Sequence, residues 1–152
     1  MIKTLQISEK EAWDLAFNAL VNNNTSEDNA KEVADALISA EFDGQAGHGL
    51  SRIPSYVEQL TAGKVKGTEA PSIISSKGSV IRVDAKNGFA YPAISLALKE
   101  ITTTCKKFGI AAASITRSHH FGQAGRHVEI LADNGLIGLM FGNTPKAIPP
   151  WG

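Results

Sequence analysis

The sequence lacks most of the features that mark a specialised protein. It has one cysteine, Cys105, in 152 residues, so no internal disulfide can form and a structural zinc cluster is not expected. A reducing, cytoplasmic setting is the corresponding expectation. Fifteen Lys and Arg residues balance fifteen Asp and Glu residues. No global field therefore draws nucleic acid or anionic lipid to the chain. No apolar run approaches the roughly 18 residues of a membrane span. The opening MIKTLQISEKEAWDLAF breaks its apolar residues with charges, unlike a signal peptide. Repeats, low-complexity tracts and charge runs are missing too. What remains, at 43% hydrophobic and 20% charged, is the composition of an ordinary globular domain long enough to bury a core.

The patterning divides the chain into a helical segment, 1–70, and the start of an α/β segment, 71–152. Ser8 and Glu11 form a capping box ahead of Trp13, Phe17 and Leu20 at helical spacing. Thr25 or Ser26 can cap a second helix with Val33, Leu37, Ile38 and Phe42 on one side. A third helix is expected from near Ser51 to Ala62, with Pro54 in its first turn. After Pro71, SVIRVDAK reads as a strand, YPAISLALKEITTTCKKFG as a helix closed by Gly109, and IAAASITR as a strand buried on both faces. GQAGRHVEILADNG reads as a further helix and LIGLMFGN as a further strand. This alternation predicts an α/β fold with part of its sheet parallel.

Three stretches can carry chemistry. In DGQAGHGLSR, Gly47 and Gly49 flank His48, and Arg52 follows four residues later. A histidine moves a proton near neutrality, and an arginine fork grips a carboxylate. The plain alternative is a Gly-rich turn with an exposed histidine and a solvated arginine. In TRSHHFGQAG, Ser118, His119 and His120 stand between a strand and a helix start, where open α/β sheets gather ligands. Gly122 and Gly125 would let a phosphate or nicotinamide approach, although GQAG is only part of a G-x-G-x-x-G fingerprint. Adjacent histidines point to different faces, and Glu129 completes no H-E-x-x-H pattern, so no metal is expected. His127 is expected on a helix surface, and Cys105 as an incidental thiol beside two lysines. In FGNTPKAIPPWG, Asn143 and Thr144 offer amide and hydroxyl groups on a loop stiffened by prolines, or simply form a connection.

Taken together, GHGLSRIPSYV, SHHFGQAGRHVE and NGLIGLMFGNTPKAIPPWG resemble the type 2 malate/L-lactate dehydrogenase family. Its relatives include sulfolactate and ureidoglycolate dehydrogenases, diketogulonate reductase and reductases of cyclic imino acids. The resemblance implies a non-Rossmann fold, NAD or NADP as cofactor, a 2-hydroxy or 2-oxo acid substrate, and a homodimer with the active site near the subunit contact. It carries proton transfer onto His48 or His120, carboxylate binding onto Arg52, and cofactor contacts onto His120, Gly122, Asn143 and Thr144. Gly47 stands where many members have serine, which removes a hydroxyl beside His48. Members of the family are more than twice this length, so the chain is expected to be an N-terminal portion of such an enzyme. A non-catalytic dimerisation or ligand-binding domain is the competing expectation.

Overall fold

A computed structural model describes residues 6–143. The order is α1 (Glu9–Val21), α2 (Glu27–Phe42), α3 (Ile53–Thr61), β1 (Ser72–Lys77), β2 (Val80–Asp84), α4 (Ala90–Phe108), β3 (Ala112–Thr116) and α5 (Ala124–Asp133). Two 3-10 turns, Ala46–His48 and Leu50–Arg52, join α2 to α3. The Ser8–Glu11 capping box forms as expected, and Ser26 rather than Thr25 caps α2. Gly109 ends α4 in the left-handed conformation that glycine adopts without penalty. Val33, Leu37 and Ile38 of α2 are buried, but Phe42 at its end remains 68% exposed.

The sheet has the order β1-β2-β3, antiparallel between β1 and β2 and parallel between β2 and β3. Strand β1 lies outside the strands expected from sequence. Its two isoleucines, Ile73 and Ile74, are adjacent, and a register shift falls between Ile73 and Ser75, which destroys the alternation that would mark a strand. β3 is half-buried on one face and exposed on the other, not buried on both, because no described element covers its outer face. LIGLMFGN forms no strand: residues 136–143 pair with no strand among the described residues.

The helical segment and the α/β segment share a core. Leu20, Ala30, Val33 and Leu37 pack with Tyr56, Val65, Phe89 and Tyr91 in one buried cluster. On the sheet side, Ile81, Val83 and Ala85 pack on Ala93 and Ala97 of α4. Thus α4 joins the two halves, and it fixes where the loops after β2 and β3 emerge.

Candidate active site

Those loops run side by side beyond the strands. Ala85 N–H donates to Thr116 O at 3.0 Å, Asn87 N–H to Arg117 O at 2.7 Å, and His119 N–H to Gly88 O at 3.2 Å. The ladder therefore continues past its strands and delivers residues 118–120 against the turn at Gly88. Arg117 turns there with a φ of +53°, uncommon for a residue with a side chain. Its guanidinium hydrogen-bonds Asp84 through Nε at 2.9 Å and also through Nη2. That partner, with the Lys86 N–H, holds the Asp84 carboxyl below the usual carboxylate range.

From the helical side comes the His48 loop. Glu41 of α2 accepts the Leu50 N–H at 2.7 Å, which anchors the two 3-10 turns to the helix end. Gly49 is required for this: a Cβ there would stand 2.1 Å from Glu41 Oε1. Arg52 donates through Nε to Gly47 O at 2.5 Å, which closes the loop around His48. Arg52 forms no ion pair with any described residue.

These two loops bring His48 and His120 together, with their rings stacked 5.5 Å apart at 17°. Arg52 is near enough to act electrostatically on His120. His120 Nδ1 hydrogen-bonds Tyr56 Oη at 2.8 Å, and Tyr56 Oη meets Tyr91 Oη at 3.0 Å. Burial, with Arg52 and His48 adding to it, pushes the His120 imidazole down to about 4. Nδ1 of His48 is sealed from solvent and has no hydrogen-bond partner among the described residues. Nδ1 of His119 and Nδ1 of His127 are likewise buried without a described partner.

The other two histidines are committed to structure. His119 meets Gln59 Oε1 at 2.9 Å. The Gln59 amide nitrogen already donates to Ser55, so Oε1 is the acceptor and His119 Nε2–H the donor. Burial pushes His119 down to about 4. His127 is not a surface residue: it is 3% exposed, and its Nε2–H donates to Phe121 O at 2.8 Å. It ties the loop after β3 to α5, and burial lowers its pKa. Among the described residues no three His, Cys, Asp or Glu side chains converge to hold a metal ion.

Gly122, with a φ of +69°, is used for packing. A Cβ there would lie 2.5 Å from Tyr91 Oη, so this glycine makes room for the tyrosine that backs Tyr56. Gly125 faces open space apart from the Gln123 side chain. Asn143 is exposed at the rim of a cleft of about 670 Å³ walled by Ile94, Leu98, Ile115 and Leu131, with Ser118 and His119 also on its border. His48 and His120 do not line this cleft. Thr144 lies outside the described residues, as does the Pro-Trp-Gly end of its motif. Sequence reasoning did not single out Tyr56 and Tyr91 as site residues. Tyr56 follows Arg52 by four residues, the helical spacing that puts both on one side.

The family model for malate/L-lactate dehydrogenase matches residues 7–152. A (2R)-3-sulfolactate dehydrogenase (NADP(+)) of Chromohalobacter salexigens is 45% identical over 146 residues, covering 96% of this chain and 44% of the relative. A Delta(1)-pyrroline-2-carboxylate/Delta(1)-piperideine-2-carboxylate reductase of Pseudomonas syringae pv. tomato is 34% identical over 149 residues, covering 98% and 43%. The crystal structure of delta1-piperideine-2-carboxylate reductase from that organism superposes with a TM-score of 0.82 at 35% identity, over 87% of this chain and 40% of that one. The malate dehydrogenase of Entamoeba histolytica also reaches 0.82, at 28% identity, over 88% and 37%. The chain thus spans about two-fifths of the relatives it matches. With a mixed α/β fold and the expected motifs in place, it belongs to the malate/L-lactate dehydrogenase family.

Proposed function

We propose that this chain contributes the proton-handling and carboxylate-binding side of an NAD(P)-dependent oxidoreductase acting on 2-hydroxy or 2-oxo acids such as malate, lactate or sulfolactate. The observation that carries the reading is the His48–His120 stack beside Arg52, a cation without an acidic partner among the described residues. Arg52 suits a substrate carboxylate, because a planar guanidinium grips it with two parallel hydrogen bonds. His48, whose ring makes no hydrogen bond among the described residues while the other three histidines each make one, is the histidine free to exchange a proton at the substrate's C2 oxygen.

Cofactor contacts are assigned to His120, Asn143, the backbone at Gly122, and Thr144. When bound, NAD(P) supplies the nicotinamide carbon that exchanges a hydride with C2 of the substrate. In the oxidising direction the hydroxyl proton leaves to His48 as the C2 hydride departs, and the hydroxy acid becomes an oxo acid. Holding the reacting carbons close and aligned supplies much of the rate, so the two loops act largely by positioning. The expected assembly is a homodimer in the cytoplasm. Among the described residues no helix is long and apolar enough to cross a membrane.

A second reading, a non-catalytic dimerisation or ligand-binding domain, is favoured by Ile137, Leu139 and Phe141, apolar side chains that stand in solvent beside the cleft. A titration followed on the histidine side-chain resonances separates the two. With NADP and oxaloacetate, pyruvate or sulfopyruvate, we expect shifts at His48 and His120 and none at the buried His127. No shift at any histidine would favour the second reading and sink the first.

A further inference from the structure

The chain Tyr91–Tyr56–His120 has three polar atoms in series, and counting protons along it gives His120 a definite form. Tyr56 Oη has one proton to give and stands between Tyr91 Oη at 3.0 Å and His120 Nδ1 at 2.8 Å. In one arrangement Tyr91 donates to Tyr56, and Tyr56 donates to Nδ1. Every hydroxyl proton then has an acceptor, and the imidazole carries its proton on Nε2. In the other arrangement Nδ1–H donates to Tyr56, and Tyr56 donates to Tyr91. The Tyr91 proton is then left without an acceptor, since Tyr56 is its one hydrogen-bond partner among the described residues. Tyr91 is 2% exposed and Tyr56 1%, so water does not readily replace that acceptor, and the arrangement is disfavoured. Neither tyrosine escapes by ionising, because burial pushes both hydroxyls above their usual range.

We infer that Tyr56, backed by Tyr91, is a positioning residue that holds His120 neutral with its proton on Nε2, as a hydrogen-bond donor to the substrate oxygen. The inference rests on the site reading above and divides its roles: His120 polarises the C2 oxygen, and His48 exchanges the proton. A second proton on His120 would have to enter at Nδ1 and force the unfavourable arrangement. The groups surrounding it act in the same direction. Arg52 and His48 oppose further positive charge from the two 3-10 turns. Tyr56 on α3, together with His119 and Phe121 on its own segment, packs around the ring. Gly122 belongs to the same device. Its missing Cβ leaves the space that Tyr91 Oη fills.

The test is a long-range 1H–15N spectrum of the histidine side chains in the 152-residue chain at neutral pH, with no cofactor or substrate present. The expected result is a protonated Nε2 and an unprotonated Nδ1 on His120, with a slowly exchanging Tyr56 hydroxyl proton coupled to that Nδ1. Tyr56→Phe should abolish the coupling and raise the Nδ1–H form severalfold. Tyr91→Phe should keep the tautomer, because Tyr56 can still donate to Nδ1. A proton on Nδ1 in the unaltered chain would overturn the inference, as would a Tyr56→Phe spectrum unchanged at His120. If Tyr56→Phe does not fold, the proton's position in the unaltered chain still decides. The measurement needs no turnover, so a failed ligand titration with this tautomer intact would remove the dehydrogenase reading alone.

Discussion

The two flanks of α4 are built differently. On the flank toward α1, α2 and α3, Leu20, Val33, Leu37 and Tyr56 are shut away from solvent, and the histidine loops rest on that packing. On the flank toward α5, the cleft is open, with Leu139 80% and Ile137 98% exposed. The same helix serves both, so the difference lies in what covers it. Helix α2 lies against the closed flank, with α1 packed on α2 and α3 on α1. The open flank has α5 and an irregular segment, and its apolar side chains remain uncovered among the described residues. His48 and His120 therefore stand on the closed flank, and Asn143 lies at the open cleft.

The largest effect expected from this contrast is in core truncation. Leu37→Ala on the closed flank should cost about 2–5 kcal/mol of unfolding free energy, because it removes buried methyl groups and leaves a cavity. Leu139→Ala on the open flank should change stability by less than about 0.5 kcal/mol. Urea unfolding of both variants checks the pair, and comparable losses would mean that the open flank is covered in solution.

A smaller effect is expected with pH. His119 and His120 titrate at about 4 in the folded chain against 6.5 unperturbed, so between those values the unfolded state binds more protons. Their contribution is complete above 6.5 and is lost as pH falls toward 4. Both side chains keep some solvent contact, which reduces the effect to about 1–2 kcal/mol each. Urea midpoints across that window should fall with acidification in the unaltered chain and fall less in His119→Gln, where one of the lowered histidines is gone. A flat profile would mean that the histidines are solvated and the closed flank is looser than described.

Local chemistry made much of the fold legible in the sequence. The Ser8–Glu11 box and the Gly109 stop each act within a few residues, and both form. What escaped depends on partners far along the chain. β1 was hidden by its register shift. Burial of β3 on both faces requires a neighbour that no described residue supplies. His127 carried a readable sign, since it precedes Leu131 by four residues on α5 and so shares that helix's apolar face. At the site, residue chemistry pointed to His48 and Arg52, and the family resemblance singled out His120. The tyrosine relay was not legible. It needs α3, α4 and the loop after β3 to meet, and no spacing in the sequence encodes that meeting.

The central claim is that His48 exchanges the reaction's proton. Steady-state kinetics of His48→Ala in the natural gene product, with NADP affinity measured alongside, test it most directly. The account predicts a fall in turnover of about 100- to 10,000-fold, the usual range for losing a general acid–base group, with cofactor affinity little changed. Undiminished turnover would contradict it and remove His48 from the chemistry.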